Sequence, residues 1–184
     1  MSDGRSADGI DFGADHFTFF GLAPVFRIDS QALDERFREA QARVHPDRFA
    51  HAGKAERRVS LQWATRVNEA YQTLKNPLPR ARYLLDRAGQ DMGQGNSAAM
   101  PPEFLMEQME WREAVAEARQ ARELAGLEDL RQRVRQRMNE NYGRLAELLD
   151  DERDYAAAAD RVRRLMFLEK LLSEIDEGMA ALEE

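Results

Sequence analysis

The chain is 184 residues long, 43% hydrophobic and 33% charged, with a formal net charge of −7. That length holds one domain or two small ones, and the many long charged side chains suit the outer faces of amphipathic helices in a soluble protein. No run of about 18 apolar residues occurs, so no membrane span is expected. The absence of cysteine excludes disulfides, thiolate ligation of zinc or iron–sulfur clusters and a thiol nucleophile, in keeping with a reducing cytoplasm.

In chain order, residues 1–15 (MSDGRSADGIDFGAD) have four aspartates, one arginine and no apolar stretch. They read as a disordered tail rather than a signal or transit peptide. Residues 16–80 carry +4 and residues 81–184 carry −8. A basic front joined to an acidic back implies two surfaces with different partners and argues against nucleic acid. After an apolar piece, 17-FTFFGL-22, Ser30 is placed to cap a helix with Asp34 and Glu35 in its first turn. Its apolar positions are Leu33, Phe37, Ala40 and Val44, and Pro46 ends it near Val44. A second helix, with Ala64, Val67, Ala70, Tyr71 and Leu74 on one side, stops at Asn76-Pro77 and folds back as an antiparallel hairpin. A short helical stretch over 80–87 completes a front domain spanning 16–88.

Residues 89–102 (GQDMGQGNSAAMPP from 89) are rich in small residues and have no period, which makes them the linker. Helical patterns over about 103–124, 127–149 and 154–182 follow, separated by Gly126 and by an acidic turn at Asp150-Asp151-Glu152. They predict an up-down three-helix bundle over 103–184. The fold class is all-α.

The tip of the hairpin, His45-Pro46-Asp47, poses the functional question. As a metal site it offers one imidazole and one carboxylate, whereas zinc and iron sites take three or four protein ligands. As a catalytic dyad it has no nucleophile, phosphate loop or enclosing pocket. The bland reading is a helix-ending turn closed by the Asp47 side chain. In its place between the two helices, however, the tripeptide resembles that of a J domain. Further stretches, 67-VNEAYQTLKNPLPRARYLL-85, 104-FLMEQMEWRE-113 and 156-AAAADRVRRLMFLEKL-171, extend the resemblance over roughly 16–177 to the HscB family of J-type co-chaperones. The absence of the Cys-built zinc module of animal members makes the bacterial form the better match.

The resemblance implies an N-terminal J domain that recruits and activates an HscA-type chaperone ATPase of the DnaK family. It also implies a C-terminal domain that binds the IscU-type scaffold of iron–sulfur cluster assembly. No catalysis or cofactor of its own is expected. The runner-up is a general J-domain co-chaperone with a different client. On the first hairpin helix Arg36 and Arg43 lie within roughly 20° of each other and, with Arg48, make a basic patch beside His45, Pro46 and Asp47. A solvated helix face is the alternative. The resemblance sets the patch against an acidic face of the ATPase.

On the helix after the linker, Phe104, Trp111, Val115 and Ala118 form a core stripe within about 60°. Leu105, Met106, Met109, Glu110, Glu113 and Glu117 occupy a separate arc about 140° wide, which favours partner contact over extra core. Phe167 sits about 140° or more from each of the apolar positions Val162, Leu165 and Leu172 of the last helix. In the family, positions matching these six residues and Phe167 form the scaffold-binding surface. Met109 departs from the expected Leu but remains apolar. The arginines at 131, 133, 135 and 137 fall on two flanks rather than one stripe, which suits snorkelling over core edges better than a nucleic-acid site.

Overall fold

The computed structural model describes residues 14–44, 53–90 and 101–183. Every regular element among them is helical: α1 (His16–Phe19), α2 (Ser30–Val44), α3 (Lys54–Lys75), α4 (Pro77–Arg87), α5 (Pro102–Gln120), α6 (Leu124–Ala146) and α7 (Tyr155–Glu183). A π-helical extension, Glu147–Glu152, prolongs α6. The chain divides into two compact units, residues 1–84 and 85–184, with the boundary inside α4. No helix among the described residues is long and apolar enough to cross a membrane.

The first unit is fastened ahead of its first helix. The Ala14 carbonyl accepts from Arg66 at 3.3 Å, and Asp15 caps α1 by accepting the Phe17 and Thr18 backbone N–H groups at 3.0 and 3.1 Å. The last two residues of the expected tail therefore belong to the fold, while residues 1–13 lie outside the described residues. The cap of α2 is Asp29 rather than Ser30: its carboxylate accepts the Gln31 and Ala32 N–H groups at 2.9 and 3.1 Å. No acid stands in the first turn of α2. Asp34 lies just beyond it and faces α3, where its carboxylate takes Lys75 Nζ at 2.6 Å and the Tyr71 hydroxyl at 2.9 Å.

Helices α2 and α3 run antiparallel, as expected. Asp34 meets Lys75 near one end, Gln41 meets Asn68 at 3.4 Å further along, and Ser60 meets Val44 at the other end. Ser60 is buried, and its hydroxyl donates to the Val44 carbonyl at 2.8 Å. That carbonyl is among those a helix C-terminus leaves without an internal partner. Phe17, Phe20, Leu33, Trp63, Val67 and Leu74 form the core, with Phe37 stacked on Tyr71 at its edge, ring centroids 3.9 Å apart. Buried Arg80 donates to the Leu74 carbonyl at 2.8 Å and covers the Phe26 ring at 5.0 Å. A cation at the C-terminal end of α3 is favoured by the helix dipole.

In the second unit α5 opens with Pro102 as its first residue, where a missing N–H costs nothing. It closes in a Schellman-type turn: the Glu123 N–H reaches the Ala118 carbonyl at 3.0 Å and the Arg122 N–H reaches the Arg119 carbonyl at 3.2 Å. The residue that turns left-handed there is Arg122, with φ 53°. Gly126, expected to break the chain, instead lies in the first turn of α6. The acidic run at 150–152 is not a turn either. It belongs to the π-helical extension, held because Arg144 grips both Glu147 and Glu152, and the reversal falls at Arg153, φ 55°.

Helix α7 runs back along α6, marked by Arg131–Asp176 at 2.9 Å and Tyr142–Glu169 at 3.3 Å. Because α7 packs on both α5 and α6, its buried arc is wide and takes in Val162, Leu165, Leu168, Leu171 and Ile175. Val115, Ala118, Leu127, Leu130 and Val134 complete that core. Each fully buried leucine or isoleucine contributes about 1.5–3 kcal/mol.

Candidate functional site

His45, Pro46, Asp47 and Arg48 lie outside the described residues. The helix leading to them is described. Arg36 and Arg43 are both exposed on α2, and Arg36 makes an i,i+3 pair with Glu39 at 3.3 Å. A pair this open to water contributes little to stability and is readily exchanged for a partner's carboxylate. Val44, the last residue of α2, is buried and tethered to α3 through Ser60, which fixes the end of α2 against its neighbour.

On α5 the two arcs separate as the spacing predicts. Phe104, Val115 and Ala118 are buried, whereas Leu105 is 39%, Met106 61% and Met109 62% exposed. Glu110, Glu113 and Glu117 are exposed beside them. Three large apolar side chains in water within five residues, flanked by three carboxylates, have the make-up of a protein-contact patch.

Phe167 and Trp111 differ from expectation, and both are half-buried. Phe167 packs against the edge of the bundle core, its ring edge-to-face with Phe104 at 5.9 Å and covered by the Arg112 guanidinium at 5.8 Å. The cause is the wide contact arc of α7, whose edge reaches the Phe167 flank. Trp111 lies on the predicted stripe but at its open edge, against a shallow cleft of about 420 Å³ between α5 and α6, and the Arg133 guanidinium lies over its ring at 5.1 Å.

Two residues that the spacing left unremarked organise this surface. Glu107 takes Arg137 of α6 at 3.1 Å and Arg164 of α7 at 3.1 Å, tying α5 to both neighbours. Arg164 also lies over the Phe104 ring at 4.3 Å. Burial would lower the Arg137 pKa, but Glu107 and then Glu140 outweigh it and hold the guanidinium above its usual value. Arg112 is the second, through its contact with Phe167. Glu107 sits between the two arcs of the wheel, so only the bundle geometry reveals its partners. The arginine run is absorbed in the bundle: Arg131, Arg133 and Arg137 pair with Asp176, Asp129 and Glu107. Among the described residues no group of three or more His, Cys, Asp or Glu is arranged to hold a metal ion.

A chain whose described elements are all helical, with a first unit built on an antiparallel hairpin and a second built as a bundle with an exposed apolar and acidic face, has the architecture expected of a J-type co-chaperone. Residues 100–176 match the family model described as the HSCB C-terminal oligomerisation domain. The co-chaperone protein HscB homolog of Azoarcus sp. (strain BH72) is 55% identical over 95% of this chain and 98% of its own. The solved chaperone HscB from Vibrio cholerae is 37% identical, with a TM-score of 0.80 over 92% of this chain and 99% of that one. Human co-chaperone HscB superimposes with a TM-score of 0.86 at 26% identity, over 96% of this chain and 93% of that one. The chain belongs to the HscB family of co-chaperones.

Proposed function

We propose that this co-chaperone delivers an IscU-type iron–sulfur scaffold protein to an HscA-type ATPase of the DnaK family and stimulates ATP hydrolysis there, promoting cluster transfer. The observation that carries the reading is the exposed Leu105–Met106–Met109 patch beside Glu110, Glu113 and Glu117, on a helix whose core stripe is already satisfied. With Phe167 at its flank, this face holds the scaffold. In the front domain His45, Pro46 and Asp47 engage the ATPase, and Arg36, Arg43 and Arg48 steer the encounter by charge. The proposed organisation is a J domain over 16–88, a linker over 89–102 and a scaffold-binding domain over 103–184, working in the cytoplasm. The chain performs no chemistry itself: it brings two partners together and triggers hydrolysis in one of them.

Single-turnover ATP hydrolysis by a purified HscA-type chaperone, with and without scaffold, tests the scheme. His45→Gln should abolish stimulation and leave scaffold affinity unchanged, because a substitution at the hairpin tip leaves the second unit intact. Leu105→Ala/Met109→Ala should do the reverse, keeping basal stimulation and losing the enhancement that scaffold provides. A His45→Gln variant that stimulates fully, or a scaffold that fails to bind the wild-type chain, sinks the proposal.

A further inference from the structure

On α5 from Pro102 to Glu117 the charged residues are all glutamates except Arg112. Its neighbours at three and four positions are Gln108, Met109, Val115 and Ala116, so the helix offers it no carboxylate to pair with. Among the described residues it makes no ion pair, and its guanidinium carbon lies 5.8 Å from the centroid of the Phe167 ring. Phe104 supports the same ring edge-on from within the bundle. Arg112 is itself exposed and lies about 20° from Leu105 around the helix, at the Phe167 margin of the apolar arc. A guanidinium lying over an aromatic ring keeps N–H donors free for a planar acceptor, which its fork is pre-organised to take.

We propose that Arg112, held on Phe167, is a specificity-determining contact of this face and receives a carboxylate from the bound scaffold. The inference rests on the scaffold-binding reading above. It gives the surface two signs: a cation at the Phe167 margin and the three glutamates along the other side. A partner with the matching order of charges docks in one orientation, and a partner with the order reversed meets like charge at both margins.

The test titrates purified apo IscU-type scaffold into the full chain carrying Arg112→Gln, Arg112→Lys, Phe167→Leu, the Arg112→Gln/Phe167→Leu pair, or Leu105→Ala. Melting is followed in parallel. Arg112→Gln should weaken binding about tenfold, with a shallower salt dependence and an unchanged melting temperature. Arg112→Lys should recover little of the loss, because an ammonium lacks the planar fork. In the Phe167→Leu background the extra loss from Arg112→Gln should shrink to about twofold or less, since the ring that aligns the guanidinium is gone. Wild-type affinity in both Arg112 variants, with Leu105→Ala weakened, overturns the role of Arg112 and leaves the scaffold surface standing. Wild-type affinity in Leu105→Ala as well overturns the surface itself.

Discussion

At the scale of single residues, exposure separates side chains that a helical wheel places together. Leu105 and Met106 are open to water, so replacing both by Ala should cost less than about 1 kcal/mol of stability while weakening scaffold binding by ~100-fold. Calorimetric titration and thermal melting on one preparation check both halves. Phe167→Ala should behave differently. Half-buried against Phe104, its ring is also part of the bundle edge, and its loss should lower stability by about 2 kcal/mol as well as affinity. Trp111→Ala should cost about 2–3 kcal/mol rather than the value of a fully enclosed tryptophan, because Arg133 and solvent share its ring. The outward arc of α5 was legible because period and polarity agree along it. The state of Phe167 was not, because it depends on how many neighbours α7 has.

At the scale of elements, the hairpin pattern and the long helices of the bundle follow from apolar spacing, while the turns between them do not. Gly126 suggested a break, yet the backbone turns left-handed at Arg122, four residues earlier. A left-handed arginine is strained, and composition carries no sign of it, because only the close packing of α5 on α6 demands the turn at that point. Two substitutions should therefore stabilise the protein. Arg122→Gly relieves the strained φ, and Gly126→Ala adds a helix former where the nearest atom to a new Cβ is 3.4 Å away. Each should gain about 0.5–1 kcal/mol in chemical denaturation. A Gly126→Ala variant that loses stability would restore Gly126 as a required turn. The docking of α1 is an element-scale device of another kind. His16 stacks on Tyr83 with ring centroids 4.3 Å apart, and burial, then the nearby Arg66, lowers its pKa below 6.5. The folded state thus favours the neutral ring. This contribution is fully present above about pH 6.5, where the unfolded imidazole is also neutral, and is lost as pH falls from there through the folded pKa. Denaturation between pH 7 and 5 should show that decline, and His16→Phe, which keeps a ring on Tyr83 without a proton to gain, should flatten it.

At the scale of the whole molecule, the charge division is legible at once: +4 over residues 16–80 against −8 over residues 81–184. If the front is steered to an acidic ATPase surface, stimulation should fall with added salt mainly through a slower association rate, and neutralising Arg36, Arg43 and Arg48 together should flatten that dependence. Stopped-flow association at several ionic strengths decides this, and an unchanged slope in the triple variant relocates the contact. The sequence could not disclose how the helices of the bundle are bound to one another. Glu107 joins α5 to Arg137 and Arg164, contacts reaching 30 and 57 positions along the chain that no local period announces. That clamp has a consequence for how such a protein changes over generations. Since the inward side of α5 is anchored through Phe104, Val115 and Glu107, residues 105, 106, 109, 110, 113 and 117 can be replaced without loosening the helix from the bundle. Selection can rewrite one side of a single cylinder while the other side keeps the fold unchanged.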